Sequence, residues 1–503
     1  MNIKKQQIGF FLGLLVFVVL AFFIKLDINN SNISFTLAIA SLMAIWWVLE
    51  VLPMGITALL PMVLFPFFGI ESGKVVASAY FNDIIFLFIG GFIIALAMQK
   101  WNLHKRIAIS ILRFTGVGIG QIVAGFMIST AFLSMWISNT ATTMMMVPIA
   151  ISILTELGNH ISQKDIKKYN ISLLLAIAYS ASIGGVATLV GTPPNLAFVK
   201  ILNLSFPNAP EISFAQWMIF AFPLSVLLLI LLWLFLYFVF FKTIKNSSSS
   251  GIKSILEQES QKNGPISVEE RIVAFAFVLF AGLLVFRKDL ELGFISISGW
   301  SNLLKTPHFI NDGVVAITIG VFLFLIPSKS DKSKTIMDWE SMKLMPWGIV
   351  LLFGGGFALA KGFVSSGLSL WIGKELGYFL FDNQLLNLLI VSGLIIFLTE
   401  ISSNISTTQI MLPVLGGIAI SIGQNPLLLM IPATIASSMA FMLPVATAPN
   451  AIVFGSGRIK ISEMARVGLY LNIISLVVIV FYIWFFAFSN FDIQMDVLPT
   501  WAK

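Results

Sequence analysis

Two short runs of hydroxyl and amide side chains interrupt an otherwise apolar chain. The first holds Ser134, Ser138, Asn139, Thr140, Thr142 and Thr143. The second holds Thr399, Ser402, Ser403, Asn404, Ser406, Thr407 and Thr408. Asn404 follows Asn139 by 265 residues, and Pro413 follows Pro148 by the same distance. A second pair of breaks lies downstream, Gly191-Thr192-Pro193-Pro194-Asn195 and Ala446-Thr447-Ala448-Pro449-Asn450, spaced by 255 residues. The proline rings remove backbone donors and stop helices. Each break frees carbonyls at one helix end and N–H groups at the other. Carbonyls with Ser, Thr and Asn oxygens make a hard-oxygen cage suited to sodium. Helix N-termini with Ser, Thr and Asn donors make an anion site that needs no fixed positive charge. Small hydroxyl residues in membrane helices often only pack closely. Two such runs at one spacing, each followed by a matched break, point instead to a ligand site.

The elements that must position these residues are membrane helices. The chain has 503 residues, 58% hydrophobic and only 11% charged, with mean hydropathy +0.96. A soluble protein of this size carries about 25% charged residues. Apolar runs at Ile8–Ile24, Trp217–Phe241, Ile272–Phe286, Val314–Ile326 and Leu469–Phe488 fit a bilayer, where a span needs about 20 apolar residues. Some runs are shorter or broken. The expected architecture is an all-α polytopic membrane protein of roughly 11 transmembrane spans with broken helices and two re-entrant hairpins.

The net charge of +7 comes from Lys and Arg in short loops, as the positive-inside rule requires, and nucleic acid is not an expected partner. The chain has no cysteine, which excludes thiolate chemistry. Met1–Lys5 precedes an apolar run without a cleavage site, so Ile8–Ile24 reads as a first span with a cytoplasmic N-terminus. The tail 490–503, with Asp492, Asp496 and Lys503, is expected on the opposite side. A plasma (inner) membrane location follows from the lack of a transit peptide.

The halves on either side of a polar segment repeat one another. Phe88-Ile89-Gly90-Gly91-Phe92 corresponds to Phe353-Gly354-Gly355-Gly356-Phe357 at the 265-residue spacing. The drop to 255 falls in a loop, since Gly158–Asn170 is long and charged while its counterpart around Gln424-Asn425-Pro426 is short. A shift confined to a loop supports internal duplication, and transporter duplications are commonly inverted about the membrane plane. The expected organisation is 1–80 N-terminal spans, 81–241 first repeat, 242–271 a flexible polar linker with Ser247–Ser250 and Gly264-Pro265, 272–489 second repeat, and 490–503 tail. Few ionisable groups lie in apolar stretches: Glu50, Lys361 and Glu400. Glu50 fits a helix end, Lys361 can snorkel, and Glu400 can shape the field of the second site. His104, His160 and His308 form no metal-spaced set, and no catalytic constellation is visible, so enzyme chemistry is not expected.

These motifs resemble the divalent-anion:sodium symporter family, the di- and tricarboxylate carriers. The resemblance spans nearly the whole chain, from Trp46-Trp47 with Glu50 and Pro53 to Pro444–Gly455. It implies a homodimer in which a transport domain moves against a fixed scaffold, to which 1–80 would mostly belong. Each Ser-Asn pair would form a hairpin tip. By resemblance, a first sodium site would use Ser134, Ser138, Asn139 and the Gly191 carbonyl. A second would use Thr399, Ser402, Asn404 and the Ala446 carbonyl. Substrate carboxylates would meet Ser138, Asn139, Thr140, Ser403 and Asn404, with Thr192 and Thr447 from the unwound helices. Ile405 departs from the family's Thr, and Ala448 from its Pro. Family exchangers that dispense with sodium resemble a pattern with a basic residue shortly after the motif, absent here. The expected function is sodium-coupled symport of C4-dicarboxylates by elevator-like alternating access, with sodium co-transported and no organic cofactor. The alternatives are a sodium-independent dicarboxylate or citrate exchanger, and a proton-coupled or metalloid-anion efflux carrier with Glu400 as proton site.

Overall fold

The computed structural model describes residues 3–503 apart from 159–160, 243–248, 292–295, 332, 378–380, 382, 492 and 494–496. His160, Ser247, Asp492 and Asp496 therefore lie outside the described residues. The chain is built almost wholly of helices. A two-stranded antiparallel pair, Leu290–Glu291 with Ser296–Ile297, is a minor addition. Eight helices are long and apolar enough to cross a membrane, and five shorter apolar helices accompany them among the described residues. The peripheral helices keep large apolar side chains exposed, among them Phe11, Phe23, Phe238, Phe275 and Phe485. That surface is stable only against hydrocarbon.

Each half contains the same sequence of parts. In the first, Ile119–Ser134 and Asn139–Gly158 form a helix–turn–helix unit whose turn carries Ser138. Gln163–Val186 then breaks and resumes as Pro193–Ser205. In the second, Gln384–Thr399 and Asn404–Ser421 form the unit, and Leu427–Ala436 breaks and resumes as Ala448–Gly455. The parts interlock across the halves. Pro193–Ser205 packs on Asn404–Ser421, and Ala448–Gly455 packs on Asn139–Gly158 and Gln163–Val186. This exchange brings the two tips and the two breaks to one place.

Gln163–Val186 is the central helix, with most of its residues buried. Ile119–Ser134 lies so close to it that a Cβ at Gly184 would stand 2.4 Å from the Ala131 Cα. Only glycine permits that approach. Helix starts are fixed by side-chain caps: Asn82 accepts from Ile84 and Ile85, Ser213 from Gln216, and Ser267 from Glu270.

The linker departs from expectation. Ser249–Lys262 is helical, and Ile252 and Leu256 bury against Leu103–Thr115 and Asn139–Gly158. An apolar stripe at helical spacing overrides the flexible composition around it. Arg106 holds the end of this segment through Glu270 at 2.6 Å and through the Asn263 and Gly264 carbonyls. Glu50 sits in an exposed turn with φ 51°, and Lys361 is half-buried in the last part of Trp347–Ser365.

Candidate functional site

The two Ser-Asn tips and the two breaks line one cavity of about 190 Å³. Ser138, Asn139 and Thr140 come from one tip, and Ser403, Asn404 and Ile405 from the other. Gly191, Thr192, Ala446 and Thr447 come from the breaks. Phe88, Phe92, Val190 and Ile349 supply an apolar wall. None of its lining residues is charged. Its positive potential comes from backbone instead, because four helices begin there: Asn139–Gly158, Pro193–Ser205, Asn404–Ser421 and Ala448–Gly455. A helix N-terminus is equivalent to roughly +0.5 charge, so four together supply about the charge of a dianion. Side chains cap three of the four. Ser138 Oγ accepts from Ala141 N at 3.3 Å, Ser403 Oγ from Ser406 N at 3.1 Å, and Thr447 Oγ1 from Asn450 N at 3.3 Å.

Behind each tip lies a cluster of oxygens. Asn139 Oδ1 stands 2.6 Å from Ser134 Oγ, 3.2 Å from the Ala181 carbonyl and 3.3 Å from the Gly191 carbonyl. Ser134 Oγ is also 2.7 Å from the Ala181 carbonyl. A hydroxyl has one proton, so it cannot satisfy both acceptors. With Oδ1 inward these four oxygens share a single donor; with Nδ2 inward the amide donates to Ser134 Oγ and to the Ala181 and Gly191 carbonyls. Such a set is stable when a cation lies among them, or when the amide turns to direct Nδ2 inward.

The second cluster repeats the first. Thr399 Oγ1 lies 2.8 Å from Asn404 Oδ1 and 2.8 Å from the Ser437 carbonyl. The helix-side bonds also correspond: Thr143 Oγ1 donates to the Asn139 carbonyl, and Thr408 Oγ1 to the Asn404 carbonyl. At the breaks, Asn195 Nδ2 donates to the Gly185, Val186 and Thr188 carbonyls, and Asn450 Nδ2 to the Ala440 and Leu443 carbonyls. These amides occupy carbonyls that the breaks set free. Gly191 and Ala446 lie at the edge of the cavity, and the Gly191 carbonyl stands 3.3 Å from the Asn139 side-chain amide.

Nearly every residue singled out from the sequence is therefore brought together. Ser134 and Thr399 are fully buried behind the tips and do not touch the cavity. The Ser402 hydroxyl engages the Leu398 carbonyl at 3.2 Å and the Thr407 hydroxyl. Sequence reasoning missed the Ala181 and Ser437 carbonyls and the apolar wall. Backbone oxygens leave no mark on residue type, and Phe88, Phe92 and Ile349 look like any apolar side chain. Glu400 does not line the cavity. Four donors surround its carboxylate, the N–H groups of Phe441, Met442 and Leu443 and the Asn472 amide.

The chain matches the family described as the sodium:sulfate symporter transmembrane region over residues 4–489, and it belongs to that family. It is a multi-pass membrane transporter and not an enzyme. Among its relatives is the sodium-dependent dicarboxylate transporter SdcS of Staphylococcus saprophyticus, 41% identical over 486 residues, covering 95% of this chain and 91% of that one. SdcS of Staphylococcus aureus matches with the same identity and coverage. Two solved structures share the fold. The YdaH transporter of Alcanivorax borkumensis has a TM-score of 0.58 at 14% identity over 90% of this chain and 98% of its own. MtrF of Neisseria gonorrhoeae, of a class of antimetabolite efflux pumps, has a TM-score of 0.55 at 13% identity, covering 88% and 85%.

Proposed function

We propose that this chain carries C4-dicarboxylates of the succinate, malate and fumarate type together with sodium. The observation that carries this reading is one uncharged cavity at four helix N-termini, flanked by two matched polar clusters, Ser134–Asn139 and Thr399–Asn404. The names of the SdcS relatives agree with it. Each carboxylate of the dianion meets one tip, Ser138, Asn139 and Thr140 on one side and Ser403 and Asn404 on the other. Thr192 and Thr447 contribute from the breaks. One sodium binds among Ser134, Ser138, Asn139 and the Gly191 carbonyl, with the Ala181 carbonyl added. The other binds among Thr399, Ser402, Asn404 and the Ala446 carbonyl, with the Ser437 carbonyl added.

Coupling follows from the clusters. Without a cation, the Asn139 side chain either sets its oxygen against the Ala181 and Gly191 carbonyls or turns its Nδ2 toward them. With sodium present, Asn139 and Asn404 are held in one orientation and the substrate site is complete. Sodium thus shifts the population toward the substrate-competent tip. Two sodium ions also neutralise the dianion before it moves. The hairpin-bearing parts then travel as a rigid body against a scaffold that includes 1–80, in a homodimer of the plasma membrane with the N-terminus in the cytoplasm. The repeats are inverted, so one tip enters from each side. Exchange without sodium needs a fixed cation beside the anion, and no Lys or Arg lines the cavity.

Thermal unfolding of the purified transporter tests the order of binding. Sodium, but not potassium, should raise Tm, and succinate should add to it only when sodium is present. Stabilisation by succinate in potassium alone would sink the coupling scheme.

A further inference from the structure

The second broken helix unwinds sooner than the first. Gln163–Val186 stays helical to Val186, whereas Leu427–Ala436 stops at Ala436. At the 255-residue spacing the counterpart of Val186 is Phe441, so the second half lacks the last turn of helix. Backbone groups released this way must be satisfied in a buried setting. Four carbonyls find donors: Ser437 accepts from Thr399, Ala440 and Leu443 from Asn450, and Phe441 from the Tyr179 hydroxyl at 2.8 Å. Three successive N–H groups are held by one side chain. Glu400 Oε1 accepts from Phe441 N at 2.7 Å and Met442 N at 2.9 Å, and Oε2 accepts from Leu443 N at 3.1 Å. Asn472, from Ile461–Asn490, donates to Oε1 at 2.8 Å and fixes the carboxylate from behind.

Four donors face these two oxygens. Only 3% of Glu400 is exposed, and among the described residues no Lys, Arg or His hydrogen bond to it is found. The first half has no equivalent. The residue 265 positions earlier is Met135, whose backbone carbonyl accepts from Thr188 Oγ1. The two clusters therefore share their ligands and differ in their support.

We propose that Glu400 is a positioning residue of the second cation cluster. Its carboxylate replaces the missing helical turn and fixes the path of residues 437–446. In this way it sets where the Ser437 and Ala446 carbonyls stand relative to Thr399 and Asn404. This inference rests on the sodium reading of that cluster.

The test is the sodium dependence of succinate uptake into proteoliposomes, for the wild type, Glu400→Gln and Asn472→Leu. Gln keeps the shape but loses the charge and sets an NH2 against a backbone N–H. Supporting groups behind metal ligands are worth 10- to 100-fold in affinity, so Glu400→Gln should raise half-saturating sodium by about tenfold or more. The substrate KM at saturating sodium should stay unchanged, because Glu400 does not touch the cavity. Asn472→Leu should move half-saturating sodium the same way by less, and it carries the test if Glu400→Gln does not fold. A lower rate at every sodium concentration with unmoved half-saturation would mean a purely structural clamp and overturn the proposal. Wild-type uptake that ignores sodium would instead remove the underlying reading, before any variant is compared.

Discussion

Replacing Asn139 by alanine removes one oxygen from the first cluster and nothing from the second. In the intact protein Asn139 Oδ1 lies 2.6 Å from Ser134 Oγ and 3.3 Å from the Gly191 carbonyl, so it is central to any ion held there. An uncharged ligand to a charged partner is worth about 2–3 kcal/mol, by analogy with hydrogen bonds to charged groups. That corresponds to a loss of roughly 30- to 150-fold in sodium affinity at this site. The fold should survive. Ser134 still has the Ala181 carbonyl at 2.7 Å, and the truncation costs about 1 kcal/mol of stability. The assay is succinate uptake against external sodium. For Asn139→Ala the half-saturating sodium concentration should rise by that factor and the Hill coefficient should fall toward one. Asn404→Ala should behave alike through the second cluster. If either variant keeps both wild-type sodium affinity and wild-type cooperativity, the cluster it belongs to holds no coupled ion.

Ile405→Thr restores the hydroxyl that Thr140 supplies on the other tip, and should favour malate over succinate by about fivefold in competition uptake, one hydrogen bond being worth about 1 kcal/mol. Gly184→Ala drives a methyl into the Ala131 backbone at 2.4 Å and should destabilise the protein by about 1–3 kcal/mol, read as lower Tm with sodium affinity shifted in those molecules that fold. Outside the membrane, the Lys100 ammonium at 2.7 Å, and then the Ser341 N–H, hold the Asp338 carboxyl at about 2, against an ordinary value of 3.8. A depressed carboxylate contributes stability that is present above pH 3.8 and lost as pH falls toward 2. Both side chains are partly exposed, so Asp338→Asn should cost about 1–2 kcal/mol in thermal unfolding at neutral pH, and the loss should vanish near pH 2.

Much of this site could be read in the chain because its polar side chains lie at repeated spacing. Ser134, Asn139, Thr399 and Asn404 recur in equivalent bonds, and the matched prolines mark the breaks. What escaped was carried by backbone or by distant partners. The Ala181 and Ser437 carbonyls could belong to any residue type. Glu400 stood out as a charge in an apolar run. Its partners lie more than 40 residues away, at Phe441 to Leu443 and Asn472, where nothing in the local sequence announces them. In the linker the signal was present, since Ile252, Ile255 and Leu256 follow helical spacing. The serines and Gly264-Pro265 around them masked it. The early end of Leu427–Ala436 shows the same limit: Ala448 in place of the second proline was visible, but not the carboxylate that holds the unwound stretch.

The central claim is that the two oxygen clusters couple sodium to a dicarboxylate in the shared cavity. Uptake of labelled succinate into proteoliposomes, with an inward sodium gradient or with potassium in its place, tests it most directly. Concentrative uptake in sodium and none in potassium is the result this account predicts. Uptake that proceeds equally in potassium, and requires only a dicarboxylate preloaded inside, would contradict it.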